Sequence, residues 1–487
     1  MSKLNKDIHF LIFEELQDDS KYLFSCLMVN RIWCETVIPI LWRNPWRYYA
    51  INYCKKNSLY SIITSYLSND IKEFLSKEGI KISGQSLAFD YLSFCRSINI
   101  KIIDDIISIG SSSAYNRFLL QEEIYSFLIK KCPEIKYLNI RGTYEIVYPP
   151  EAKARLESLC ELTCDTLIDP RYFYRLAHIC QQIQGIVIIN NNLKANHGTI
   201  KLIEFQKNLK YFEWVDEFVE DYDDFDWEQL EDIYTENFDI LKKHANTLIH
   251  FKINLHRFDY DYSNNYDYTF LQYALLELHN LKILEIDSPL FLYIGDFNEV
   301  TYRYLEILEI DCINIYQVTC IIKNSLYLKE LWIYYFHIEA NSFNVDALDF
   351  ISTICENCFL IEYLSIPVFP LLENHFIEFE KLLKKCQNLR SLNFKDAYYE
   401  NGKELEFGDY LSSVLIREAS TNLREIVIPH CDIKFSLETL ETFFEKWKGR
   451  PAVSLHFEDI HFYRKDNSYM KLFDKYKIEG VIKDTNA

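Results

Sequence analysis

One short pattern recurs along the chain from residue 135 onward: an apolar residue, a second three positions later, and a third two positions beyond that. It starts at Ile135 (IKYLNI), Ile183 (IQGIVI), Leu209 (LKYFEW), Leu248 (LIHFKI), Leu281 (LKILEI), Leu305 (LEILEI), Leu328 (LKELWI), Ile361 (IEYLSI), Leu389 (LRSLNF), Leu423 (LREIVI) and Ala452 (AVSLHF). A degenerate copy, LESLCEL, starts at Leu156. Side chains alternate across an extended backbone, so the last two apolar positions share one face of a short strand. Successive starts lie 21 to 39 residues apart, which leaves room for a loop and a returning helix, as over 376–385 or 437–447. A single such unit cannot bury its own apolar face, but stacked units bury a continuous core. The pattern predicts an α/β solenoid of strand, loop and helix repeated.

The period and the spacing of apolar residues resemble leucine-rich repeats. The resemblance implies an irregular horseshoe with parallel strands on the concave face and helices outside. Cysteines fall into the same register. Cys132, Cys180, Cys358 and Cys386 each stand three residues before a start, at the end of a predicted helix where a small apolar side chain packs well. Cys164 and Cys431 stand eight residues after their starts, with Asn191 at the equivalent place, the Asn/Cys position of the repeat formula.

The first fifty residues differ. Leu4, Ile8, Leu11, Ile12 and Leu16 fall at helical spacing with Phe10 and Phe13 beside them. A turn at residues 17–20 leads into a second apolar helix carrying Leu23, Phe24, Cys26 and Leu27. After a break near Val29 and Asn30, the residues Trp33, Val37, Ile38, Leu41 and Trp42 continue the apolar supply, and Pro39 and Pro45 are expected to limit any helix here. Three short helices of this size sit near the stability threshold and want a neighbour or a partner. Read from the residues alone, they can equally be a cap over the open end of the solenoid.

The ordered set Leu4, Ile12 and Phe13, Leu16, the acidic turn Asp18 and Asp19, Val29 through Trp33, and the exit Leu41 and Trp42 resembles an F-box, with Asn5 where that family usually has proline. The resemblance implies docking on a Skp-type adaptor and through it a cullin scaffold. Carried over position by position, Leu4, Ile8, Ile12, Phe13, Leu16, Leu23, Leu27, Val29 and Trp33 build or contact that adaptor interface. The expected organisation is an F-box over 1–46, a helical linker over 47–130 that can hold degenerate repeats, and the solenoid over 131–487, interrupted by an acidic insertion at about 215–236. Within the linker, helices are predicted over 61–67, 71–77, 91–98 and 122–131. F-box followed by leucine-rich repeats is itself a known arrangement, and the chain is similar to members of expanded fungal sets.

Charge narrows the partners. A formal net charge of −20 argues against affinity built on neutralising phosphates, so neither nucleic acid nor an anionic membrane is expected. A basic protein or peptide suits an acidic surface, which speeds its encounter. No apolar core of a secretory signal and no uninterrupted apolar stretch of about 18 residues is present, so a cytoplasmic or nuclear location is expected, with the 14 cysteines as thiols.

Catalytic motifs do not emerge. Cys355 and Cys358 have zinc-ligand spacing but no matching second pair, and the repeat register already accounts for Cys358. The twelve histidines form no metal or triad pattern, and eleven glycines supply no phosphate-cradling loop. No cofactor, metal or catalytic residue is expected. The acidic run from Asp216 to Asp232 lacks the glycine and spacing of a calcium loop and reads either as a solvated insertion or as an arm for a basic partner.

The strand positions between the inward pairs should face the open, concave side. Glu213, Glu285, Glu309 and Trp332 stand there, flanked by Asp287, Asp311, Glu330 and Tyr334. Extended faces of this kind are where solenoids commonly bind, so these eight residues are the expected target surface. The combined expectation is a non-catalytic substrate receptor of a ubiquitin ligase; the rival is a repeat scaffold with no ligase role.

Overall fold

A computed structural model describes residues 5–17, 20–48, 56–84, 86–141, 152–191, 194–217, 232–255, 269–287, 301–338, 341–397 and 402–486. The chain divides into two compact units, Met1–Leu209 with Glu217–Ile233, and Lys210–Asp216 with Tyr234–Ala487.

The first unit opens with three helices, α1 (Lys6–Glu15), α2 (Ser20–Leu27) and α3 (Arg31–Arg43). The side chain of Asn30 caps α3 by accepting the Trp33 backbone N–H at 3.0 Å. Across from it, Phe13 of α1 meets the Trp33 ring at 5.0 Å and His9 meets it at 5.8 Å, while Leu23 of α2 is fully buried. Contrary to the sequence expectation, α3 runs straight through Pro39. An interior proline costs about 3 kcal/mol; burial of Val37, Ile38, Ile40, Leu41 and Trp42 around it offsets this, at about 1.5–3 kcal/mol per large apolar side chain. Pro45 does end the helix and opens a 3₁₀ turn, Pro45–Tyr48.

The three helices are joined to the strands that follow. Trp46 Nε1 donates to the Ser97 carbonyl at 2.7 Å, the Arg96 N–H donates to the Arg43 carbonyl at 2.9 Å, and Trp42 stacks obliquely on Tyr91 at 4.6 Å. Next come α4 (Lys56–Ser65), α5 (Asn69–Lys77), α6 (Ile100–Ile107) and α7 (Ala114–Lys131). The strands are β1 (Ser97–Asn99), β2 (Tyr137–Ile140), β3 (Glu161–Asp165) and β4 (Gly185–Asn190), all parallel and paired in chain order. The helix predicted over 91–98 is instead a 3₁₀ turn followed by β1, because Ser97 to Asn99 pair with Tyr137 to Asn139. The parallel sheet thus begins inside the segment expected to be a helical linker. β3 corrects a second reading. The degenerate unit starts at Leu159, three residues later than Leu156, so Cys164 lies in register with Ile188 as a buried strand residue, outside the Asn/Cys position.

The second unit contains β5 (Tyr211–Asp216), β6 (His250–Asn254), β7 (Ile283–Asp287), β8 (Ile307–Asn314), β9 (Glu330–His337), β10 (Tyr363–Pro367), β11 (Ser391–Lys395), β12 (Glu425–Ile428), β13 (Val453–Phe457) and β14 (Ile482–Thr485). They are parallel and paired in strict chain order, with helices on most of the crossovers, such as Phe343–Asn357, Glu373–Lys385, Glu404–Glu418 and Leu437–Trp447. The fold is therefore α/β with open, all-parallel sheets. The apolar triplets are its core: Leu281, Leu284 and Ile286, then Leu305, Leu308 and Ile310, and their equivalents in later strands are almost entirely buried. β14 follows no triplet and was not foreseen.

Cys180, Cys358 and Cys386 end their helices as buried caps, as does Cys132 in α7. The Cys180 thiol donates to the Leu156 carbonyl at 3.3 Å and that of Cys386 to the Cys358 carbonyl at 3.7 Å, tying each helix end to the preceding unit. The expected acidic insertion begins later than residue 215. Asp216 is buried at the end of β5, accepting from Trp214 Nε1 at 2.8 Å and from the Tyr234 hydroxyl at 2.7 Å. Most of the remaining acidic run, 218–231, lies outside the described residues.

Candidate functional site

Two surfaces carry the sequence-predicted residues. His9 and Phe13 on α1 meet Trp33 of α3 and Leu16 just after α1 is half-buried, while Ile8, Leu11 and Ile12 form a second stripe at i, i+3 and i+4. That second stripe is exposed, Leu11 by 62%. Tyr22 on α2, Met28 and Val29 in the following turn, and Ile32 on α3 are exposed as well, Met28 by 87%. Large apolar side chains scattered singly on a surface need no explanation; here seven stand exposed within 25 residues of one small helical module.

The structure thus sorts the nine expected adaptor residues. Ile8, Ile12 and Val29 are outward; Leu16, Leu27 and Trp33 are half-buried; Phe13 and Leu23 are core residues that hold the helices together and cannot reach a partner. Leu4 lies outside the described residues. Leu11, Tyr22, Met28 and Ile32 belong to the exposed set and were not singled out. Leu11 was legible, since it completes the Ile8 and Ile12 face.

The second surface is the open face of the sheet in the second unit. Register puts Glu213, Lys252, Glu285, Glu309 and Trp332 in one row, one residue per strand from β5 to β9. The expected acidic stripe therefore contains a cation that reading the acids alone passed over. Lys252 Nζ lies 2.8 Å from Glu285 and 4.0 Å from Glu213. His250 Nε2 sits 2.8 Å from the other oxygen of Glu285. The hydrogen bond from His250, then that from Lys252, holds the Glu285 carboxyl down at about 2. The hydroxyl of Tyr211 also donates to Glu213.

Further along, Tyr334 donates to Glu309 Oε1 at 2.8 Å. This bond, then burial, then the negative field of Glu309, Asp287 and Asp311 push the Tyr334 hydroxyl up to about 12. Asn254 donates to Asp287 at 2.8 Å, and Trp332 Nε1 donates to Glu330 at 2.9 Å while its ring stacks on Tyr363 at 5.3 Å. Glu285, Asp287, Glu309, Asp311 and Tyr334 line a single hollow of about 260 Å³ together with Lys252. Glu213, Glu330 and Trp332 stand outside it. The hollow is acidic on the β7–β9 side and carries its cation on β6, so it suits a short basic or amide-rich segment.

No group of three or more histidine, cysteine or acidic side chains able to hold a metal occurs among the described residues, and no helix of these residues is long and apolar enough to cross a membrane. No protein-family model matches the chain, and no curated protein matches it in sequence.

Proposed function

We propose that the protein is a substrate receptor of a Skp-cullin-F-box ubiquitin ligase: the three N-terminal helices dock on the adaptor, and the repeat array, read as leucine-rich, captures a protein target on its concave face. The observation that carries this reading is the doubly apolar α1, whose Phe13 side is consumed by the module while Ile8, Leu11 and Ile12 remain exposed. A helix that only capped the solenoid would need a single apolar face. A specific interface buries roughly 1,200–2,000 Å² and depends on a few large apolar anchors, which this face offers together with Met28, Val29 and Ile32. The resemblance of the ordered motif to an F-box names the partner.

In this reading the receptor contributes no bond chemistry. It raises the effective concentration of a target's lysines beside a conjugating enzyme held elsewhere in the complex. The acidic hollow between β6 and β9 favours a target segment bearing lysine or arginine, whose charge complements the Asp287, Glu309 and Asp311 carboxylates. Co-expression of the full chain with a Skp-type adaptor tests the reading: the two should co-purify as a stoichiometric complex, and separate elution would refute adaptor docking.

A further inference from the structure

A second hollow lies elsewhere, lined by residues of the first unit. It measures about 580 Å³, within the range of small-ligand sites. Its floor is a grid of outward strand positions, Ser97, Tyr137 and Glu161 in one row and Asn99, Asn139 and Thr163 in the next, each row paired in register across β1, β2 and β3. Its roof is the end of α3 and the turn after it, with Arg43, Asn44, Trp46 and Arg47. The Trp46 bond to the Ser97 carbonyl and the Arg96 bond to the Arg43 carbonyl fix roof to floor.

The lining is chemically two-sided. Arg43, held through Nη1 by Glu14 at 3.0 Å, and Arg47 bring two guanidinium groups, which pair with planar anions in a forked geometry. Across from them are acceptors. Asn139 Oδ1 is buried and takes no hydrogen bond from any described residue, which is unfavourable until a donor arrives. Burial pushes the Glu161 carboxyl above the usual carboxylate range. The Tyr137 hydroxyl, beside Glu161 in its row, is pushed up chiefly by burial and then by Glu161, and pulled down by Arg43 and Arg47. A dianion such as phosphate would meet Glu161; a monoanion with an N–H donor close by satisfies both sides.

We infer that this cleft binds a peptide-like carboxylate, its anion taken by Arg43 and Arg47 and its neighbouring N–H groups by Asn139 and Glu161. The source is either the carboxyl terminus of a polypeptide or a free amino acid or dipeptide, which share this chemistry. The cleft residues are distinct from the exposed apolar stripe of α1, so this inference stands or falls apart from adaptor docking.

The test uses the immobilised full-length chain and two pools of acetylated hexapeptides with randomised last three residues, one ending in a free carboxylate and one in an amide. The carboxylate pool should be recovered at least tenfold over the amide pool, and Arg47→Glu and Asn139→Asp should each abolish that preference without lowering the melting temperature. Competition by glycylglycine at equal concentration would assign the cleft to a free small ligand; its failure would assign it to a chain terminus. Equal recovery of the two pools, retention of neither, or a preference that survives both substitutions would overturn the inference.

Discussion

The ring of Phe13 meets Trp33 edge-on at 5.0 Å, and this one contact between α1 and α3 decides which side of α1 is left for a partner. Truncating Phe13 therefore tests something different from truncating its neighbours. Phe13→Ala should destabilise the N-terminal module by about 3–5 kcal/mol, the usual cost of emptying an aromatic core site. Leu11→Ser should leave stability within about 0.5 kcal/mol, as expected of an exposed position. Urea denaturation followed by tryptophan fluorescence separates the two, and equal losses would contradict the assignment of the faces.

Glu285 gives a prediction in pH. Its carboxyl is held at about 2 by His250 and then Lys252, against an ordinary value of 4.5. The stabilisation is complete above pH 4.5 and is lost as the pH falls toward 2, because the unfolded chain binds the proton first. Allowing for solvent screening of this half-open site, Glu285→Gln should cost about 1 kcal/mol at neutral pH and should flatten the loss of stability below pH 4.5. Parallel melting curves for the two proteins across that window would show that the bonds to Glu285 contribute nothing.

Thiol chemistry follows the helix ends. Burial pushes the Cys180, Cys358 and Cys386 thiols up to about 12, which withholds the reactive thiolate at neutral pH. Brief treatment of the native chain with iodoacetamide should label the partly exposed Cys34 and Cys160 well before these three, and urea should equalise them. Mass spectrometry of tryptic peptides reads the order, and early labelling of Cys358 or Cys386 would contradict their place in the core.

Gly408 is needed for packing. It sits within the helix Glu404–Glu418 against the Lys434 carbonyl, into which any added Cβ would run. Gly408→Ala, ordinarily favourable in a helix by about 1 kcal/mol, should instead destabilise the second unit by more than about 2 kcal/mol. Gly402, at φ 92° with nothing near its Cβ position, is the comparison: there the loss on substitution by alanine should come from backbone strain alone and be about 1 kcal/mol. Thermal melts of both variants read the difference, and a Gly408→Ala chain as stable as the parent would show that the two elements are not in contact.

Most of the repeat architecture was readable because the apolar triplets obey strand alternation wherever burial is complete, as at Leu305, Leu308 and Ile310. The ends were not. β1 is only three residues long and its buried triplet, Cys95, Ile98 and Ile100, opens on a cysteine and runs straight into α6, so it was passed over, and β14 follows the helix Asn467–Ile478 with no triplet to count. Leu156 misled although its third position is Glu161, whereas Leu159, Leu162 and Cys164 complete the triplet, as the pairing with β4 shows. The proline in α3 was overridden by tertiary packing.

Sites were less legible than folds. Lys252 occupies the same strand position as Glu213 and Glu285 and could have been read from LIHFKI, but its neutralising role depends on distances. The two faces of α1 are separable in sequence as two stripes; which one is buried is set by Trp33, on a different helix. The cleft under Arg43 and Arg47 draws its lining from α3 and three strands, and no local pattern announces it.

The central claim is that the exposed stripe of α1 is an adaptor-docking face. The most direct test is calorimetric titration of a Skp-type adaptor into the full chain and into a Leu11→Ser, Ile12→Ser double variant whose melting temperature matches the parent. The account predicts saturable one-to-one binding by the parent and a loss of at least a hundredfold in affinity, about 2.7 kcal/mol, in the variant. Absence of binding by the parent, or equal affinity in both, would contradict it.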